Sequence, residues 1–422
     1  MAYNRKLLYT KSFPSWNTPE GNLGNVAVDV AMTPIQLVAT EINEPGSTIT
    51  YAVTTGALPT GLTLSSSGEI SGTPTGYTAN ETVNFTITAT DDEGETAFRN
   101  FNLFVAYNYD IEYLIVAGGA GGSSAGGGGA GGVISGSVTK SPANTEVLSF
   151  TVGSGGTGAE SGSGTRGGQG VNSIAFGLTA IGGGPGGAYR GDMIGGNGGS
   201  GGGGGQNITG PISTVAGGNG VSGQGHNGGS GDISDSPWGS GGGGGAGAAG
   251  ANFVLGSTYN FSGNGGPGIL NNITGVDLYW GGGGGGGAQG YASRGGGSSK
   301  DTVPGNGGIG GGGGGGVAYN TIGATGYGIG GGSALNNGQN GVYFSDSASS
   351  SDRVGGSGGA NTGGGGGGQG ITVGYSGNGG SGVVILRIPT ANYSGTTTGS
   401  PTVTTDGSDT ILTYTGSGTY TT

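Results

Sequence analysis

Five uninterrupted runs of glycine, at 201–205, 241–245, 281–287, 310–316 and 363–368, limit what this chain can fold into more than any other feature. Glycine loses more backbone freedom on ordering than any other residue, and it has no side chain whose burial could offset the loss. Such segments are either flexible linkers or are ordered by their own main chain. Linkers rarely carry Trp, Tyr and Ile between the glycine runs, as this chain does. Extended left-handed threefold segments offer the ordered alternative. They rise about 3.1 Å per residue with no internal hydrogen bonds, so a six-residue run spans about 19 Å with its N–H and C=O groups pointing outward. Adjacent segments can pair through those groups while Cα–H groups touch carbonyls. The runs therefore predict a stacked bundle of polyglycine II helices with little oily core.

Composition sharpens this reading. Glycine supplies 118 of 422 residues but in blocks, and proline only 14, so collagen's strict triplet is excluded. Charged residues make up 8%, against 18 Tyr, 10 Phe and 3 Trp, which fits a folded chain better than a disordered one. The net charge of −12 provides no basic footprint for nucleic acid. Arg5, Lys6 and Lys11 precede the first acid, Glu20; they form either a polar tail or an anchor for another protein. With no cysteine and a single His226, thiolate chemistry and Cys- or His-based zinc sites are not expected. The longest apolar runs, Tyr113–Ala117 and Val383–Leu386, are too short to span a bilayer as a helix. The N-terminus shows no apolar signal core, so a protein retained in the cytoplasm or released by lysis is expected.

Residues 1–20 read as an extended leader. Pro14 and Pro19 discourage helix, and Phe13 and Trp16 are available to a neighbour. Residues 21–107 read as a small β-sandwich. Val26, Val28 and Val30 alternate, as do Ile49, Tyr51 and Val53, then Val83, Phe85, Ile87 and Ala89, then Phe101, Leu103 and Val105. Asp91-Asp92-Glu93-Gly94 supplies a hairpin turn. The stretch from Ala57-Leu58-Pro59-Thr60-Gly61-Leu62 to Gly68-Glu69-Ile70-Ser71-Gly72-Thr73-Pro74 resembles the immunoglobulin- and cadherin-like repeats of bacterial surface and phage proteins. Their signature is leucine-proline-x-glycine-leucine followed by glycine-x-isoleucine-x-glycine-threonine-proline. Asp91, Asp92, Glu93 and Glu95 offer the oxygen donors that hard cations such as calcium take; a charged hairpin tip is the plainer reading.

Residues 108–390 form the glycine-rich part, with a Thr/Ser/Gly-rich extension at 391–422 whose strands Thr402–Thr405 and Thr410–Tyr414 flank the turn Asp406-Gly407. Three strands, Tyr113–Gly119, Val147–Gly153 and Gly382–Pro389, read as one scaffold bracketing the glycine region. The opener Tyr113–Gly119 and the closer Ser381–Arg387 resemble those of the glycine-rich domain of phage tail proteins. A looser likeness is to the polyglycine-sandwich adhesins at the long-tail-fibre tips of T-even-like phages. The fold class expected is all-β: an immunoglobulin-like sandwich, then a glycine-rich domain whose β-strands bracket a polyglycine II bundle.

With the glycine runs as rails, the segments between them become end loops. Function tends to sit on loops held by a rigid scaffold, and aromatics among Asn, Asp and Ser suit adaptable recognition. The candidate receptor contacts are Trp238, Tyr259, Phe261, Tyr279, Trp280, Tyr291, Tyr319, Tyr327, Tyr343 and Phe344. The competing reading has these aromatics plugging the bundle ends. Chance G-x-G-x-x-G matches carry no following helix, His226 sits in a glycine loop, and acid pairs such as Asp232/Asp235 or Asp346/Asp352 are sparse. The resemblance therefore implies a non-enzymatic virion component on the particle's exposed surface. It would bind other virion proteins through its N-terminal region and a host glycan or outer-membrane protein through its loops, with a homotrimer as one assembly. No cofactor, metal or nucleic acid is implied. The alternatives are a passive virion part (head fibre, decoration or tail-fibre segment) and a glycan depolymerase, which would need two carboxylates flanking a bond.

Overall fold

A computed structural model describes the chain except residues 1–11, 42–46, 143, 161, 163, 207–213, 233–238, 290–301, 319–325, 345–354 and 371–373. The described residues are all-β apart from one 3-10 turn at Thr390–Asn392. The chain divides into two compact units, one of Met1–Asp110 with Thr139–Glu146 and Thr422, the other of Ile111–Val138 and Val147–Thr421.

The first unit is a two-layer sandwich. Strands Gly21–Ala27, Thr96–Ala106, Glu81–Thr90 and Thr50–Gly56 form one sheet in that order, and Ile35–Gln36, Glu69–Gly72 and Leu62–Leu64 form the other. The inward positions of the period-two pattern, Phe85, Ile87, Ala89, Phe101, Leu103 and Val105, are buried together with Ile70 and Tyr51. Gly61 adopts φ +88°, and a Cβ there would meet the Thr73 carbonyl, so the leucine-proline-x-glycine-leucine turn admits only glycine at that position. Two expectations change. Val30 is exposed because the strand ends at Ala27 and the chain turns at Asp29, φ +60°. Trp16 is no free docking residue: Ser15–Trp16 pairs with Ala39–Thr40, the ring packs on Tyr51 and Phe101, and Nε1 donates to the Ala97 carbonyl at 3.2 Å. Phe13 remains exposed.

Strand Tyr109–Val116, which enters the second unit at Ile111, pairs antiparallel with Val383–Pro389, in register Glu112 to Arg387 through Val116 to Val383. Val133–Lys140 flanks one side, and Asp409–Tyr414 then Thr402–Asp406 complete a five-stranded sheet. Arg387 bridges Asp406 and Asp409, each at 2.9 Å. The anticipated opener and closer thus meet directly. The third expected scaffold strand does not join them. Val147–Phe150 lies in a separate sheet with Gly418–Thr421 and Thr397–Thr398, where Phe150 packs on Tyr414 and Phe176 at centroid distances of 5.1 and 5.7 Å.

The glycine runs form the predicted lattice, knit by main-chain groups with a period of three. In the run 241–246, Gly241 and Gly244 donate to Gly204 and Gly201 at 2.9 and 2.8 Å. Gly242 and Gly245 donate to Ala251 and Ala248, and Gly243 and Ala246 to Gly284 and Gly281. Its carbonyls accept from Gly127 and Ala130, from Gly229 and His226, and from Gly266. Each run is therefore a rod that donates along three directions and accepts along three others, as threefold symmetry requires. Rods this close leave no room for a side chain: a Cβ on Gly243 would sit 2.5 Å from the Gly128 carbonyl carbon and closer still to its oxygen.

Five runs cannot surround one another in this way, and the segments between them supply further rods. Stretches such as 217–220, 226–229, 263–266, 305–308, 328–331 and 377–380 pair as the runs do. The expectation that inter-run segments are only end loops is corrected accordingly. At the rim, an asparagine side chain takes the place of a missing main-chain acceptor. Asn264 Oδ1 accepts from Asn306 N–H, Asn306 Oδ1 from Ile329 N–H, Asn340 Oδ1 from Gly330 N–H and Asn378 Oδ1 from Gly158 N–H, all at 2.8–2.9 Å. Asn197, Asn227 and Asn252 act likewise. The signal is visible as Asn-Gly-Gly recurring at 197, 227, 264, 306 and 378. Replacing Asn306 by alanine should cost about 1 kcal/mol, because the freed N–H turns to water. Asp, which keeps the acceptor, should cost less; equal losses in denaturant titrations of the two variants would contradict the clasp.

Candidate functional site at the loop end of the bundle

The direction of each rod decides which connections share an end. The chain leaves the five-stranded sheet at Val116 and runs outward through Gly118–Ser123. The run 363–369 is parallel to it, since Gly366 donates to Ala120 and Gln369 to Ser123. The run 310–316 is parallel to that one, and 281–288 is parallel to 310–316. The run 241–246 is antiparallel to 281–284 and so heads back toward the sheet, while 201–205 is antiparallel to 241–244 and heads outward. The outer ends of these rods, Gln206, Gly239, Ala288, Val317 and Gln369, consequently gather at the end remote from the sheet. Short pairings lock them there: Tyr189 with Gln206, Gly239 with Ala288, and Ala288–Gln289, Val317–Ala318 and Tyr343–Phe344 as three parallel strands.

Serine hydroxyls close this end. Ser123 Oγ donates to the Gly186 carbonyl and accepts from Gly167 N–H, and Ser124 Oγ accepts from Tyr189 N–H. Ser240 Oγ faces the carbonyls of Ala125 and Gly287 at 2.8 and 2.7 Å, and Ser262 Oγ reaches the same Gly287 oxygen. Rod carbonyls that have run out of neighbouring rods are thus satisfied by small neutral side chains, as buried polar groups require.

Above that floor, the six-residue loop between Val254 and Phe261 displays apolar side chains. Val254 and Phe261 exchange two main-chain hydrogen bonds at 2.9 Å, and Asn260–Phe261 pairs in parallel with Thr302–Val303. Val254, Leu255, Tyr259 and Phe261 are all exposed, forming a knuckle whose base is fixed in the lattice. Tyr327 is exposed where the rod 326–332 begins at the same end. Sequence reasoning missed Val254 and Leu255, since two aliphatics in a loop carry no signal until their exposure is known.

The ten candidate residues separate on this frame. Tyr259, Phe261 and Tyr327 stand exposed at the loop end, and the main chain of Tyr343 and Phe344 reaches it. Trp238, Tyr291 and Tyr319 lie outside the described residues. Tyr279 and Trp280 belong to the opposite end, in a hairpin of Ile269–Asn271 with Leu278–Trp280. Trp280 is fully buried among Leu114, Val133, Ile273, Val383, Ile385 and Ile411, and is corrected from receptor contact to core. The plug reading holds for that residue because the sheet face needs a large apolar partner where the rod 281–287 begins. His226 is a rod residue, its main chain bonded to Gly245 and Gly201. Asp91 caps its own turn, its Oδ1 accepting from the N–H groups of Glu93 and Glu95. Among the described residues no cluster of three His, Cys, Asp or Glu side chains could hold a metal ion.

A glycine-rich domain family model matches residues 95–334, more than half of the chain. The chain belongs to the glycine-rich domain family. A second model, described as "Putative Ig domain", matches residues 22–106, the sandwich, and overlaps the first match over 95–106. No curated protein matches. Solved structures similar to this chain include extracellular cadherin domains 1–4 of protocadherin gamma B7 (13% identity, 34% of this chain and 38% of that one, TM-score 0.21). Drosophila N-cadherin EC1-4 is similar at 15% identity over 37% and 39% of the two chains, TM-score 0.19. Sidekick-1 immunoglobulin domains 1–4 follow at 12% identity over 33% and 38%, TM-score 0.17. The chain spans about two fifths of each of these.

Proposed function

We propose that the protein is a phage virion adhesin that contacts a host-surface glycan or outer-membrane protein through the loop end of its glycine-rich domain. One observation carries this reading. The rod directions gather the loops at one end, and there an exposed apolar knuckle, Val254, Leu255, Tyr259 and Phe261, is held by main-chain hydrogen bonds to a stiff lattice. Rigid aromatic anchors lose little conformational entropy on binding and dominate contact energies. An immunoglobulin-like unit followed by a glycine-rich one, together with the likeness of the opener and closer to phage tail proteins, supports placing the chain on a virion, its N-terminal region toward other virion proteins. Many weak contacts multiplied by copy number would supply avidity. No reaction is assigned.

The test uses the full chain, labelled, on a panel of bacterial strains. A strain that binds it should bind the Tyr259→Ser/Phe261→Ser double variant about tenfold or more weakly, a hot-spot-sized loss, with unchanged thermal unfolding. Binding that survives this change and Tyr327→Ser would remove the loop end as the contact, and binding to no strain would favour the passive virion part.

A further inference from the structure

The outward face of the four-stranded sheet in the immunoglobulin-like unit carries an unusual set of side chains. Register places Asn22, Asn102 and Asn84 in one row across three strands, and Asn100 beside Thr86 in the next row. Thr86 Oγ1 donates to Asn100 Oδ1 at 2.9 Å, and Asn100 Nδ2 donates to Glu20 Oε1 at 3.3 Å. Asparagine is depleted in strands because it packs poorly on a pleated surface. A polar outward face is ordinary for an antiparallel sheet, but Thr would serve it better. Four asparagines there cost stability and call for another reason.

Local geometry supplies a second observation. The flanking strands carry Gly21 and Gly56 beside this patch, and each also has a register irregularity, between Asn22 and Asn25 and between Val53 and Thr55. Bulges of this kind re-aim side chains at functional sites. The result is a shallow cavity of about 330 Å³ walled by Glu20, Asn84, Thr86, Asn100 and Asn102. On the same face and strand, Phe98 is 72% exposed, opposite Thr88. An exposed ring next to amides in a depression is what a polyhydroxylated ring needs: a flat apolar platform, then paired donors and acceptors.

We propose that this face, centred on Asn84, Asn100 and Asn102 with Phe98 as platform, binds an uncharged glycan. The cavity wall has no cation, and its single charge, Glu20, is negative, so an anionic polymer would be repelled. The site is separate from the loop end of the glycine-rich domain and stands or falls independently of it.

The probe is affinity electrophoresis of the full chain through native gels containing dextran, galactomannan, glucomannan or hydroxyethyl cellulose, one at a time. At least one should retard the protein, and Phe98→Ala should weaken that retardation about tenfold. Asn84→Thr puts a better strand former in the row, so it should keep or raise the unfolding temperature while weakening retardation about tenfold. Val403→Ser, at an exposed position of the strand Thr402–Asp406 in the glycine-rich unit, should change nothing. Retardation by none of the four, retardation unaffected by both Phe98→Ala and Asn84→Thr, or equal retardation by an anionic polymer such as alginate would each overturn the proposal.

Discussion

Replacing Gly284 by alanine should cost the protein about 3 kcal/mol or more, out of proportion to the single methyl group added. The new Cβ would lie 2.6 Å from the Gly366 carbonyl carbon and closer still to its oxygen, with Gly128 N at 3.2 Å. These are main-chain atoms of other rods, so no flexible side chain can give way. Gly284 does not adopt a positive φ, so the loss would come from packing alone. Displacing the 363–368 rod would also strain the hydrogen bonds Gly366 makes to Ala120 and receives from Gly128. Gly416→Ala is the control, since nothing lies within 4 Å of a Cβ there; at such an open site the change is worth a few tenths of a kcal/mol, with stabilisation as the usual sign. Thermal unfolding should separate the two by at least about 5 °C. Similar midpoints would mean that the rods are not packed at main-chain distance.

Trp280→Ala should cost about 3–5 kcal/mol through the cavity it leaves. The indole is wholly buried, and its Nε1 donates to the Asn271 carbonyl at 3.4 Å. It fills the space between the sheet residues Val383, Ile385 and Ile411 and the start of the 281–287 rod, where Gly281 turns with φ +71°. Its loss would therefore loosen the junction of sheet and lattice. Folded Trp280→Ala protein should still bind cells as the parent does. A large stability loss with intact adsorption identifies Trp280 as a plug; the reverse pattern would restore it as a receptor contact.

The pattern of these effects follows what can and cannot be read from a sequence. All-glycine runs announce interior rods, because main-chain contact on six sides leaves room for little beyond glycine, and so the bundle was legible. The rim rods were not, since they mix Asn, Ser, Ala and Ile with glycine and look like loops; the recurring Asn-Gly-Gly was their only mark. The sandwich core was legible through period-two alternation, whereas Trp16 looked like part of a leader because its partners Tyr51 and Phe101 are distant in sequence. Tyr279 and Trp280 adjoin a glycine run as loop aromatics do, and only the hairpin pairing assigns them to the sheet end. Of the candidate site, Tyr259, Phe261 and Tyr327 were readable as aromatics between runs, while Val254 and Leu255 required the turn geometry that exposes them.

Amide hydrogen exchange tests the main-chain lattice most directly. Residues 242–245, 282–287, 313–316 and 365–368 donate to other rods, so their amides should exchange only on global opening, with protection on the order of 10⁴ or more. Exchange of these glycines at the rate of an unstructured peptide would show that no such lattice exists.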